Sequence, residues 1–306
     1  MFQEMEVAQQ RSWVAAIANR FQSNQELETY AGIGTVPQMR EWIGAKQSHS
    51  FTEQSIQIRN KDWESTIRVK TKDLRRDKTT QLRARIGELM DRAVTHEAKL
   101  LSDLIENGSG TTLASCYDTK ALFADDHSVG SSGTIDNNVS SDISDTPTAT
   151  HGTTTDPSPG DFAHAVLNGV KTLRGFKDDR GEPINDMIGS LLIMVPVGLS
   201  KAAELALAQP TIAGNEANPL LNSASRVSYQ LAVNARLTWT DKFAIFRTDG
   251  RMKSLIIQEE VSPVFKALAE GSDYEFSNAE HQYSVEKAGN VGLGRFDQCA
   301  LITFVA

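Results

Sequence analysis

Cysteine is scarce in this sequence of 306 residues: there are two, Cys116 and Cys299. They lie far apart and form no CxxC pair, which excludes a zinc ribbon and a thioredoxin-type site and leaves a reducing cytoplasm as the default compartment. Motifs that carry chemistry are missing as well. There is no GxSxG, no HExxH, no Walker sequence and no Rossmann fingerprint. Long apolar runs are absent. The longest, Leu191 to Val197, falls far short of the roughly 20 residues that span a bilayer. Met1 to Gln10 lacks the apolar stretch of a secretion signal, so no export leader is expected. An excess of positive charge is lacking too. The net charge of −8 argues against a nucleic-acid surface spread over the whole molecule, because such surfaces need clustered Lys and Arg. The densest basic run, Arg68 to Lys78, reads as a solvated face.

What is present is length and patterning. The chain can hold two sub-domains and a sizeable core. Its most informative stretch runs from His49 to Gly108. Ser55 to Arg59 and Glu64 to Lys70 each alternate apolar and polar residues, the period of a strand with one greasy face. Asn60-Lys61-Asp62 between them is turn chemistry, so the pair is expected to form a projecting two-stranded ribbon. From Lys78 to Asn107, Leu82, Ile86, Leu89, Ala93, Leu100 and Leu104 recur at helical spacing and draw one apolar stripe. Asp77 is placed to cap the start of this helix and Gly108 its end. A projecting ribbon joined to an over-long helix suits a subunit that reaches its neighbours better than a compact enzyme.

Around this stretch the chain reads as follows. Residues 1 to 28 form a partly helical arm with Val7, Trp13, Val14, Ile17 and Phe21 on one side. Residues 107 to 160 are rich in Gly, Ser, Thr, Asp and Asn and cannot order by themselves. A helix with Phe162, Val166, Val170 and Leu173 inward, a buried strand at Leu191 to Pro196 and an Ala/Leu helix at Gly198 to Gln209 make the heart of a second α/β unit. Val227 to Leu237, Phe243 to Arg247 and Ser254 to Gln258 read as strands. The terminal strands, Tyr283 to Lys287 and Ala300 to Phe304, are expected to form a sheet under the long helix, which makes the first domain discontinuous.

Candidate chemistry is thin. Cys116, Asp118, Asp125, Asp126 and His127 crowd one island, but the donors are a mixed hard and soft set without paired spacing, and local turn bonding is the preferred reading. Asp125-Asp126 and Asp178-Asp179 sit in polar turns, and His96 lies on the long helix beside Glu97. No residue is assigned a catalytic, cofactor or metal role. The four tryptophans, Trp13, Trp42, Trp63 and Trp239, read as anchors in core or interface.

Several segments together resemble one family. Tyr30 to Lys46 (YAGIGTVPQMREWIGAK) is similar to the N-terminal signature of the Mu-like bacteriophage major head subunit. Asn60 to Ile67, the Cys116-Tyr117-Asp118 island with Phe123 and Asp126-His127, Ile193 to Glu204, and Tyr283 to Phe296 follow in the family's order. Thr119 stands where the family usually has glycine, and Ser128 where proline is common. The resemblance implies an α+β chain with the HK97-type capsid fold. Its parts would be an N-terminal arm (1–47), an extended β-hairpin loop (48–76), a peripheral domain (77–159 and 251–306, spine helix 78–107) and an axial domain (160–250). It implies a structural protein, not an enzyme and without cofactors. Such a protein self-assembles into hexamers and pentamers of an icosahedral shell, built in the host cytoplasm around double-stranded DNA that it does not read by sequence. A scaffold or maturation protease, a portal and decoration proteins are the implied partners, with no membrane. An encapsulin-like compartment around a cargo enzyme is the alternative. On this reading Trp13, Trp42, Ile56, Ile58, Trp63, Ile67 and Val69 belong to the interface between subunits, and Trp63→Ala is expected to impair assembly more than folding.

Overall fold

The computed structural model describes residues 13–31, 55–76, 81–130, 133–148, 150–212, 216–221 and 227–306. The expected Asp77 cap, Trp42 and most of the Tyr30 to Lys46 segment lie outside them. The chain opens with a short helix α1 (Trp13–Ile17) and strands β1 (Ala18–Gln22) and β2 (Leu27–Ala31). Then come β3 (Ser55–Arg59), β4 (Lys61–Lys70), helix α2 (Thr71–Arg76) and the long helix α3 (Gln81–Glu106). Strand β5 (Asn138–Asp142), helix α4 (Pro159–Gly175), β6 (Ser190–Val195), helix α5 (Ser200–Ala208), β7 (Ser228–Val233) and β8 (Lys242–Arg247) follow. The chain closes with β9 (Leu255–Leu268), helix α6 (Asp273–Asn278), β10 (Glu280–Leu293) and β11 (Cys299–Val305).

Strands at the expected positions form, but their partners correct the expected ribbon. β3 and β4 do not pair with each other. β3 runs antiparallel to β2, Ile58 opposite Glu28. β4 runs antiparallel to β10, with Trp63 opposite Lys287 and Val69 opposite His281. Asn60 is the pivot between the two ribbons rather than a hairpin turn. Its backbone N–H donates to the Glu26 carbonyl, and its side-chain amide donates to Ser23 Oγ and to the Gln25 carbonyl, each at 2.8 Å. One residue is too short for a hairpin connection, so the chain must change sheets there.

Two larger sheets carry the core. One has the order β1-β9-β10-β4, with β1 parallel to β9 and the other pairs antiparallel. Helix α3 lies over β10 and β9. At about 1.5 Å per residue its 26 residues span about 39 Å. Its stripe buries Leu89, Leu101, Leu104 and Ile105. The described part of the helix begins at 81, its expected start at 78 lies outside the described residues, and it ends at 106 rather than 107; Gly108 does stand at its end. A Cβ there would sit 2.7 Å from the buried ring of Phe123, so only glycine lets the chain turn that close.

The second sheet has the order β7-β6-β8-β11-β5. β6, β8 and β11 are almost wholly buried, with α4 and α5 on the sheet, and their unbroken apolar runs are what a strand covered on both faces requires. Phe162 of α4 packs on Phe243, ring centres 4.7 Å apart, and Phe304 closes the trio. The last strand therefore corrects a second expectation. Residues 299–305 pair with 242–246, not with the sheet under the long helix, so a boundary at 250/251 cuts across strand pairing.

The Gly/Ser/Thr-rich stretch is ordered by a few buried groups. β5 joins the edge of the second sheet. Asn137, wholly buried, donates to the carbonyls of Leu122 and Phe296 and accepts from Ala124 N–H. Ser158 and Asp161 form a capping box at the start of α4, and Thr146 Oγ1 and Gly152 N–H also donate to the Asp161 carboxylate. Thr119 takes a left-handed backbone, φ 66°, which for a β-branched residue costs about 1–2 kcal/mol. Thr119→Gly is expected to raise unfolding stability by about 1 kcal/mol, as read by chemical denaturation. A loss of stability would show that the hydroxyl or methyl makes contacts that outweigh the backbone strain.

Candidate assembly surface

The face of the first sheet turned away from α3 is where unsatisfied surface collects. β9 and β10 have 14 residues each, about 46 Å at a typical strand rise. The register of β9 on β10 shifts at Glu259–Val261 and again at Val261–Val264, with Pro263 between, where proline costs no ladder bond. Past this bulge Val264 and Leu268 alternate outward, and with Val261 all three are more than 40% exposed. They form an apolar rail beside the polar side chains of Thr66 on β4 and of Gln282 and Ser284 on β10. The groove between them holds about 890 Å³. Lys266 and Glu286 form an ion pair across its floor. A strand face that mixes an apolar rail with hydrogen-bonding groups is suited to another polypeptide rather than to a small molecule.

On the opposite face Trp63 fills the angle between sheet and helix. Its indole N–H donates to the Gly289 carbonyl at 2.9 Å. Its ring centre lies 4.4 Å from that of His96 on α3, edge to face. A second hollow of about 420 Å³ opens beside it, lined by Ser65, Arg92, His96, Lys99 and Val285.

Four charges brace helix and sheet at this point. The Arg20 guanidinium of β1 bonds Glu97 of α3 at 2.5 Å and Glu259 of β9 at 2.6 Å, and Lys287 Nζ of β10 stands 3.9 Å from Glu97. Glu97 is buried, which is tolerable only because it is paired. Burial pushes the Lys287 amine down, an effect partly offset by Glu97. His96 is pushed down to about 4, first by burial and then by the cations Lys287 and Lys99, so it is neutral at pH 7.

The structure distributes the expected interface residues unevenly. Ile56, Ile58 and Val69 are corrected: all three are buried within the chain, at 6%, 4% and 8% exposure. Ile58 sits so close to Gly292 that a Cβ there would meet its Cδ1 at 2.3 Å. Their apolar surface is already covered, so the alternation that identified a greasy face did not identify its partner. Trp13 is half-buried against the core. Trp63 and Ile67 are half-buried on the helix-facing side of β4. Trp42 lies outside the described residues. Sequence reading passed over Val261, Val264 and Leu268, although their spacing in a run of strand-forming residues was visible. It also passed over Phe276, which is 95% exposed; an aromatic in the short polar helix Asp273–Asn278 carries no periodic signal.

The island at 116–127 makes internal bonds. His127, wholly buried, shares a 2.6 Å bond with Asp118 through Nδ1 and stacks flat on Phe296, ring centres 3.8 Å apart. Asp126 pairs with Lys120 at the surface. Burial pushes the Cys116 thiol up, which makes it a poor nucleophile at neutral pH.

Two outcomes follow from this geometry. Since His96 titrates near 4 when folded against 6.5 when free, the unfolded chain binds more protons between those values. Stability therefore falls as pH drops from 6.5 to about 4. His96→Gln should flatten that part of a stability-against-pH curve; a slope identical to wild type would contradict the burial of a neutral imidazole. Trp63→Ala removes a ring that packs on its own helix, so it should cost the isolated subunit about 2–4 kcal/mol, in contrast to the expectation from sequence. An unchanged thermal midpoint would refute this.

Comparison with known proteins gives a consistent picture. Residues 1–151 match the family described as Mu-like prophage major head subunit gpT. The Mu-like prophage FluMu major head subunit of Haemophilus influenzae is 29% identical over 136 residues, 44% of this chain. The matched part spans 43% of that curated relative. The capsid of bacteriophage JBD30 superposes with a TM-score of 0.53 at 14% identity, over 95% of this chain and 64% of that one. The capsid of an empty GTA particle gives 0.57 at 11% identity, over 96% and 89%. The family match ends at residue 151, so beyond it the likeness is one of fold. Across residues 1–151 the chain is similar to the Mu-like major head subunits, and along its length it shares the α+β, HK97-type fold of phage capsid proteins.

Proposed function

We propose that this chain is the major head subunit of a Mu-like phage or prophage. It self-assembles into hexamers and pentamers of an icosahedral shell around double-stranded DNA, and it catalyses no reaction. The observation that carries this reading is the head-subunit match of residues 1–151 joined to a capsid fold that covers 95% of the chain or more. The physical features agree with it. A long sheet carries an open groove and an apolar rail that a solitary soluble protein has no reason to keep. A net charge of −8 suits the wall of a container, because a basic lining would bind phosphates and hinder packaging and release. The head-subunit match favours this reading over an encapsulin-like compartment with cargo. A scaffold or maturation protease, a portal and decoration proteins are the partners this function needs, and host cytoplasm is where assembly would occur. Among the described residues no helix is long and apolar enough to cross a membrane.

The test is direct. The full chain, expressed alone or with its neighbouring genes, is sedimented and imaged by negative-stain electron microscopy. Closed shells are expected. Protein that stays strictly monomeric at high concentration under both conditions would overturn the reading, and shells filled with an enzyme in place of DNA in infected or induced cells would replace it with the compartment.

A further inference from the structure

The far end of the first sheet, where β9 turns into β10, carries two short helices side by side. Helix α6 sits in the β9–β10 connection, and helix α2 follows β4. The Thr71 N–H donates to the Ala279 carbonyl at 3.0 Å, which ties the start of α2 to the end of α6. Both helices therefore stand at one tip of the sheet.

The helix α6 is built to hold its shape. Ser272 caps it through the Glu275 N–H, and Ala279 ends it in the left-handed region at φ 51°. The Glu275 carboxylate is itself fixed, accepting from Gly271 N–H at 2.8 Å and bonding His281 Nε2 at 2.9 Å. On this fixed support Phe276 points into solvent with 95% of its surface exposed. Keeping a whole phenylalanine ring in water forgoes the favourable burial of its apolar surface, and a pre-ordered aromatic of this kind is what interface anchors look like.

The charges around it are segregated. On α2, Lys72, Arg75 and Arg76 are exposed and spaced i, i+3, i+4, so they share one face. Asp73 lies off that face, and Glu280 stands opposite Lys70 in the β4–β10 register. On the α6 side Glu270 and Asp273 are exposed, and among the described residues no ion pair joins these two to the cations of α2, although the charge of Arg75 does act on Glu275. One tip thus presents a basic helix, an acidic helix and a bare aromatic ring.

We infer that this tip docks onto the tip of a second copy of the same chain, Glu270 and Asp273 of one copy facing Lys72, Arg75 and Arg76 of the other with Phe276 buried between them. The inference rests on the head-subunit reading and deepens it. Charge complementarity between the two halves of one surface selects the partner, because a second copy brings both charges in the arrangement required. A polyanion would satisfy α2 alone and leave the acidic side and Phe276 without a role.

The experiment uses the full-length chain and follows shell yield by sedimentation, with thermal unfolding as a check on the subunit. Phe276→Ser should raise the concentration needed for assembly roughly tenfold or more, the loss expected of one central anchor, and leave the thermal midpoint unchanged. Asp273→Lys with Glu270→Lys, and Arg75→Glu with Arg76→Glu, should each block assembly. The two reversed sets combined in one chain should restore it. Wild-type yields from every variant would overturn the inference while leaving the head-subunit reading intact. So would single sets that block without mutual rescue, and so would Arg75→Glu, Arg76→Glu shells that assemble normally but fail to hold DNA, which would assign α2 to the packaged nucleic acid. A wild-type chain that forms no oligomer would overturn both readings together.

Discussion

Strand Glu280–Leu293 is the constraint on which the rest depends. It is hydrogen-bonded along both edges, to β9 on one side and β4 on the other, and the long helix lies across it. Every functional feature is indexed to it. Lys287 enters the charge brace with Glu97, Gly289 receives the Trp63 indole, Gly292 makes room for Ile58, and His281 holds the tip helix through Glu275. A one-residue slip of β10 would turn each of these side chains to the other face of the sheet. The bulge around Pro263 absorbs the mismatch in β9 and leaves β10 in register with β4.

Because β10 is satisfied on both edges, its sheet offers no long open edge along this strand for chance pairing. Reach is supplied instead by length and by the tip. The sheet exposes an apolar rail on one face and ends in two oppositely charged helices. On the proposed reading this divides a subunit that is folded by itself from a surface that copies of it complete. Hydrophobic burial holds the first part together. Charge segregation and one exposed ring direct the second, a combination that favours the right partner more than it favours tight binding.

Much of the architecture was legible in the sequence, and the misses have physical causes. Helical spacing located α3 because its stripe is long, and Leu89 and Leu104 of that stripe do face the core, with Leu101 and Ile105 beside them. Period-2 alternation located β3 and β4, yet it reports that a segment has one greasy face, not what covers that face. Asn60 looked like turn chemistry and is a pivot instead, since its side chain binds Ser23 and Gln25 from a distant part of the chain. The last strand was assigned to the wrong sheet for the same reason: Cys299–Val305 reads as a buried strand in either sheet, and only pairing with β8 decides. The island at 116–127 was rightly taken as local bonding, although the stack of His127 on Phe296 joins residues too far apart in sequence to foresee. The residues expected at an interface are distributed differently by the fold. Trp63 packs on its own helix, Ile56, Ile58 and Val69 are buried within the chain, and Phe276 gave no signal because exposure is a property of the fold.

The central claim is that residues 61–70 belong to their own subunit's sheet while contacts between subunits run through the groove and tip at its end. A cryo-electron-microscopy map of the assembled particle tests it most directly. The account predicts β4 paired with β10 of the same chain throughout the shell, and Phe276 buried against another copy. A map in which 61–70 pairs with a neighbouring chain, or in which Phe276 stands in solvent at every position, would contradict it.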